Sequence, residues 1–195
     1  MLKPGAGGFT LVELLIAISM IGVLLALGAP PMAAYLQNSK IGNAATNVAA
    51  GLQMARTEAI RRNTPVEFVL TVTDPSASDV ANSLTPNAAG PNWVVRASGA
   101  AFTLIEARAG AEGGANPGTP GVQIAASGPA GVVFNELGGT AGGTGFTVDV
   151  DNPAVGACAS ASGPMRCRRV VVSAGGKVLT CDPAATTAGD NRGCP

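Results

Sequence analysis

Hydrolytic and transfer chemistry needs a proton acceptor beside a nucleophile, and this chain offers little of either. It has no histidine among its 195 residues. That absence removes both the commonest general base and the commonest metal ligand. A nucleophilic serine would have to use lysine as its base. Past the first eight residues only Lys40 and Lys177 remain, and neither lies beside a nucleophile elbow. Asp149 and Asp151 would share one face of a strand, a spacing open to glycoside hydrolysis or cation binding. They run directly into Asn152-Pro153, as a strand end entering a turn does. The glycine-rich run from Gly138 to Gly145 lacks the P-loop lysine and precedes a strand rather than a helix. No catalysis, cofactor or metal is expected.

Two other clusters remain. Cys158, Cys167, Cys181 and Cys194 are too widely spaced for a CxxC redox or zinc pair. In an exported chain they read as two disulfides. Nearest-neighbour pairing would staple two short loops, and the other two pairings stay open. Arg166, Arg168, Arg169 and Lys177 gather where no acid lies between Asn152 and Cys181, with Arg192 in the tail. Such a patch can hold phosphates of DNA without sequence preference. The commoner fate is a solvated face balanced by acids, here Asp149, Asp151 and Asp182.

Glu13 stands alone: between Lys3 and Lys40 it is the only charged residue. Phe9 to Ala29 is an almost unbroken apolar run of 21 residues, long enough to cross a bilayer as a helix. The preceding MLKPGAGG is too short for an ordinary secretory signal, and its Gly7-Gly8 stands before the apolar run rather than after it. The run would therefore survive processing as an anchor, with Lys3 holding the leader on the cytoplasmic side. A carboxylate in such a helix either has a partner or sits near the helix N-terminus, where the dipole and water tolerate it.

The string GFTLVELLIAISMIGVLLALGAP resembles the class III signal of type IV pilins and type II secretion pseudopilins. The resemblance implies cleavage after Gly8 by a prepilin peptidase, which also methylates the new amine of Phe9. It implies that Glu13 neutralises the N-terminal amine of a neighbouring subunit during assembly; two buried opposite charges in register cost less than either alone. Pilins of this kind carry a proline where this chain has Pro30, and there the helix can unwind within the filament. By backbone chemistry alone, Pro30 and Pro31 are expected to end or kink the helix.

Beyond the run, Ile41, Ala45, Val48, Leu52, Ala55 and Ala59 recur at helical spacing and form one apolar stripe. Arg61 and Arg62 suit the C-terminal end of the helix dipole, and Pro65 closes the helix. The remainder alternates in short runs. The expected strands are 66–73, 93–97, 102–107, 122–125, 132–135, 146–150, 168–173 and 177–181, with a tight turn at Ser173-Ala-Gly-Gly. The loops 74–92 and 109–121 read as mobile by their low complexity. Charged residues make up 12% of the chain and aromatics 4%, which suits a modest core with many turns. Twelve basic and twelve acidic residues cancel, so no global field recruits nucleic acid.

The expected fold is α+β: a long N-terminal helix, first membrane-spanning and then amphipathic, packed on antiparallel sheet. Its parts are a leader (1–8), an assembly helix (9–31), an amphipathic half-helix (32–64) and a periplasmic β domain with a cysteine-bearing tail (65–195). The stretch LQMARTEAIRRNTPVEFVL, together with the closing RCRRVVVSAGGKVLTCDPAATTAGDNRGC, is similar to the GspH/FimT group of minor pilins. DNA-uptake members carry a GRxR-type motif at the final hairpin, where this chain has Gly176-Lys177-Val178-Leu179. The resemblance implies a non-catalytic minor pilin that helps prime a type IV pilus. Its partners would be the prepilin peptidase, other pilins and the bacterial inner membrane, through which it passes once. A type II secretion pseudopilin is the alternative, and a DNA receptor for transformation the second alternative.

Overall fold

The computed structural model describes residues 9–110, 121–187 and 189–195, with the side chains of 26–33 excepted. Helix α1 runs Leu11–Arg62. The chain divides into two compact units, Met1–Leu36 and Gln37–Pro195. In the first, the described apolar side chains from Leu11 to Leu25 are exposed. Among the described residues no helix is long and apolar enough to cross a membrane; the described side chains of the apolar run stop at Leu25. The helix does not end at Pro30–Pro31, which corrects one of the two expectations for that site. Each proline deletes only its own donor, so hydrogen bonds on either side can carry a helix through.

In the second unit the predicted stripe is the helix face of the core. Ile41, Val48, Leu52, Ala55 and Ala59 have no exposed surface, and Ala45 has almost none. The helix closes with Asn63 at φ 49°. The Asn63 N–H donates to the Ile60 carbonyl and the Thr64 N–H to the Ala59 carbonyl. This is a Schellman closure with asparagine at the left-handed position.

Eight strands follow: β1 Val66–Thr71, β2 Asn92–Ala97, β3 Thr103–Ala109, β4 Gln123–Ala126, β5 Gly131–Phe134, β6 Phe146–Asp151, β7 Arg168–Val172 and β8 Val178–Cys181. They form two antiparallel sheets, ordered β3-β2-β1-β5 and β4-β6-β7-β8. Phe68 on β1 links the layers. Its ring stacks on Trp93 at 5.6 Å and meets Phe146 of the second sheet edge-on at 6.4 Å. Gly51 lets the helix reach this cluster, because a Cβ there would stand 3.0 Å from both Phe68 and Trp93.

The loop after β1 is not the mobile connection its composition suggested. It carries a short helix α2, Val80–Ser83, and Val80 packs with Val69 and Val94 on the first sheet. Thr71 Oγ1 donates to the Thr85 carbonyl at 2.7 Å, and Asn92 Nδ2 to the Thr73 carbonyl at 2.9 Å. The buried Arg96 donates to the Ala81 carbonyl and pairs with Glu67 at 2.7 Å, with Phe102 stacked over its guanidinium. This loop is why β1 and β2 are buried almost without alternation: α1 covers one face and the loop covers the other. The second long loop lies outside the described residues from 111 to 120.

Candidate processing and assembly site

Gly8 lies outside the described residues, which begin at Phe9. Phe9 is 86% exposed. Thr10 stands just before the first helical residue. Its Oγ1 accepts the Glu13 backbone N–H at 3.2 Å, while its carbonyl accepts from Leu14. Thr10 is therefore the N-cap and Glu13 the third helical residue, the two key positions of a capping box. The carboxylate of Glu13 also sits in the first turn, where the helix dipole favours a negative charge. No ion pair or hydrogen bond to that carboxylate occurs among the described residues. The sequence reading missed the cap, although Thr10-Leu11-Val12-Glu13 carries its signature.

Further along, Ser19 Oγ donates to the Ile16 carbonyl at 2.8 Å. That bond satisfies the hydroxyl inside its own helix and removes a polar group from the apolar surface. From Phe9 to Leu25, Glu13 is then the one strongly polar group still presented outward. The side chain of Pro30 lies outside the described residues.

The cysteines pair as Cys158–Cys167 and Cys181–Cys194. The first closes a loop whose Arg166 N–H donates to Asn38 Oδ1 at 2.7 Å. The second fastens the tail to the end of β8, where the Asp182 N–H also donates to the Arg192 carbonyl.

The basic residues near the last hairpin do come together, but most are neutralised. Arg169 meets Asp149 directly across β7 and β6 at 2.7 Å. Arg168 pairs with Asp182 at 2.6 Å, and Arg192 with Asp190 at 2.8 Å. The Arg192 guanidinium, through its side-chain hydrogen bonds, holds the Asp190 carboxyl down at about 2. Only Arg166 and Lys177 of the five make no ion pair among the described residues. Asp149 is engaged by Arg169 and Ser127. Burial, and then the Asp149 charge, push the neighbouring Asp151 carboxyl upward. No cluster of three metal-ligating side chains occurs among the described residues.

The glycine-rich run has a packing role. Asn135 Oδ1 accepts from the Leu137 and Gly139 amides, and the Gly138 carbonyl accepts from Arg56 Nε at 3.0 Å. Gly176, in the β7–β8 turn at φ 77°, sits against that same carbonyl, and a Cβ there would collide with it.

The family described as Type II transport protein GspH matches residues 44–176, and the prokaryotic N-terminal methylation motif matches residues 3–29. Among solved structures, the chain is similar to the type IV minor pilin FimU of Pseudomonas aeruginosa strain PAO1. The match has 16% identity, covers 74% of this chain and 90% of that one, and has a TM-score of 0.51. A second crystal form of that pilin matches with a TM-score of 0.47 over 71% of this chain and 90% of that one, again at 16% identity. No curated protein matches the chain. At this identity the likeness to FimU concerns the fold.

Proposed function

The chain belongs to the GspH family, and from that premise we propose that it is a minor pilin that joins and helps prime a type IV pilus. The family and fold are structural, and a structural minor-pilin role in type IV pili or pseudopili follows from them. The methylation motif implies processing by a prepilin peptidase and assembly with other pilins. In the finer reading, the apolar run anchors the chain in the bacterial inner membrane with the β domain in the periplasm. The peptidase cuts after Gly8 and methylates Phe9. Glu13 then meets the amine of a neighbouring Phe9, while Pro30 lets the helix adjust within the filament.

The observation that carries this reading is the exposed N-terminal stretch of helix α1, Leu11 to Leu25, capped by Thr10. Its described outward side chains are apolar, its serine is satisfied internally, and its carboxylate, Glu13, makes no ion pair among the described residues. Such a surface suits partner helices in a bilayer or a filament core, where one charge sets register. A minor pseudopilin of a type II secretion system is the second reading, favoured by the family's own description. Crosslinking in native membranes, then capture and mass spectrometry of bound subunits, separates the two. Capture of a major pilin supports the pilus, and capture of secretion pseudopilins moves the chain to the export machine. DNA uptake has less support, since Arg168, Arg169 and Arg192 already hold acids.

A further inference from the structure

We propose that the closing tail and the outer face of the second sheet form a binding cleft for a neutral oligosaccharide, an inference that stands on the β domain alone and not on the membrane or filament reading. The cleft follows from how the tail is fastened. Arg169 on β7 lies opposite Cys181 on β8. From Cys181 the chain leaves the sheet, doubles back and is joined to it again through the Cys181–Cys194 disulfide. Within this closure the Asp182 N–H donates to the Arg192 carbonyl at 2.7 Å, the Ala185 N–H to the Asp182 carbonyl at 3.1 Å and the Gly193 N–H to the Asp190 carbonyl at 3.0 Å. Gly193 lets the two limbs of the tail close up, because a Cβ there would stand 2.5 Å from the Ala185 carbonyl oxygen.

Between this stapled tail and the sheet lies an open cleft of about 480 Å³, within the roughly 300–1,000 Å³ of small-molecule sites. Arg169 and Leu179 line it from the sheet, and Pro183, Thr186, Thr187 and Asp190 from the tail. Alternation puts Arg169 on the outer face, since Val170 and Val172 are buried. Its Nε donates to Asp149 Oδ1 at 2.7 Å. Neither terminal nitrogen donates to any described residue, so that end of the guanidinium fork is left for a ligand. Asp190 stays ionised beside Arg192, whose side-chain hydrogen bonds hold its carboxyl at about 2. Both Asp190 oxygens keep lone pairs beyond the bonds from Arg192. The Thr186 and Thr187 hydroxyls are exposed and bond to no described residue.

The chemistry of these groups selects the ligand. The ion pairs Arg169–Asp149 and Arg192–Asp190 bring no net charge to the cleft. An entering anion would meet Asp190 as well as Arg169, which disfavours phosphate. A sugar hydroxyl both donates and accepts, so one ring can accept from Arg169 while another hydroxyl donates to Asp190 or exchanges bonds with the threonines. Leu179 and Pro183 add shallow apolar surface that suits the C–H face of a sugar ring. An extended peptide would instead add to a free strand edge. The strand that carries Arg169 has none, because β7 is paired with β6 on one side and β8 on the other.

The test titrates the full chain, held in a polyoxyethylene detergent that carries no sugar, with neutral hexasaccharides of glucose, galactose, mannose and N-acetylglucosamine. Saturation transfer from protein to sugar protons reports binding, and its concentration dependence gives Kd. Hexagalacturonate, single-stranded DNA and a glycine–serine peptide serve as comparison probes. At least one neutral sugar should bind at millimolar concentration, with little response to salt. Arg169→Gln should weaken that binding by roughly tenfold or more, the weight of a hydrogen bond to a charged group. The exposed pair Thr186→Val, Thr187→Val should weaken it severalfold with both disulfides intact by mass, which separates loss of contact from loss of fold. No transfer to any of the neutral sugars would overturn the proposal, as would binding that neither variant changes. Salt-sensitive binding confined to hexagalacturonate or DNA would make the cleft an anion site, and binding of the peptide alone would make it a protein-docking site; either result overturns the saccharide reading.

Discussion

The backbone N–H of Glu13 donates to Oγ1 of Thr10 across 3.2 Å, so a threonine inside the N-terminal methylation motif also caps the helix that carries the carboxylate proposed to act in assembly. The two roles meet in one turn. The cap fixes where the helix begins, and the third helical position places Glu13 one turn beyond the new amine that cleavage after Gly8 would create. Replacing Thr10 by alanine should cost about 1 kcal/mol in that first turn. Hydrogen exchange of the Glu13 amide in bilayer-embedded protein should then quicken roughly fivefold, with Thr10→Ser restoring it.

Glu13→Ala removes the charge and leaves the cap acceptor in place. The variant should insert, be cut and be methylated as the parent is, but be nearly absent from sheared filaments. Its appearance there at the parental level would refute the register role.

For DNA, the pairing of Arg168, Arg169 and Arg192 predicts no salt-sensitive gel shift by the detergent-solubilised chain at micromolar protein. The triple change Asp149→Asn, Asp182→Asn, Asp190→Asn frees these cations. It should produce binding whose affinity falls steeply with salt, since each phosphate contact releases a counterion. A shift by the unmodified chain would restore the receptor reading.

Gly176 combines a left-handed backbone with contact against the Gly138 carbonyl. Gly176→Ala should lower stability by about 2 kcal/mol, read from thermal unfolding. At Gly175 a Cβ would meet only Ser173 Oγ, at 4.0 Å, so Gly175→Ala should change little.

The pH response has opposite signs at two carboxyls. Asp151 is raised by burial and by Asp149, so the native state holds its proton more tightly than the unfolded chain does. Its contribution is most favourable below the ordinary 3.8 and is lost as pH rises through the raised value. Asp151→Asn should therefore raise the melting temperature at pH 7, with the difference vanishing in acid. Glu58 is lowered to about 2 by hydrogen bonds from Arg61 and Arg62. What it contributes is present above its ordinary 4.5 and lost as pH falls toward 2, so Glu58→Gln should matter at pH 7 and not near pH 2.

Much of this protein could be read without coordinates, because the signals are local. The stripe from Ile41 to Ala59 follows the helical period, and each of the eight strands lies within two residues of where alternation and turn residues put it. The processing motif is likewise a contiguous string. Tertiary structure alone decided matters that depend on residues far apart in the chain. Those are the division of the strands into two sheets, with β5 beside β1, and the burial of Val80 by Val69 and Val94, which orders a loop of low-complexity sequence. The cysteine connectivity, one of three possibilities in the sequence, also became a single pattern only there. So did the ion pairing of the basic cluster, where Arg169 meets Asp149 only because β6 and β7 pair in one register. Periodicity records which face of an element is apolar. It carries no record of what that face meets, because that is set by distances between segments that only the folded chain brings together.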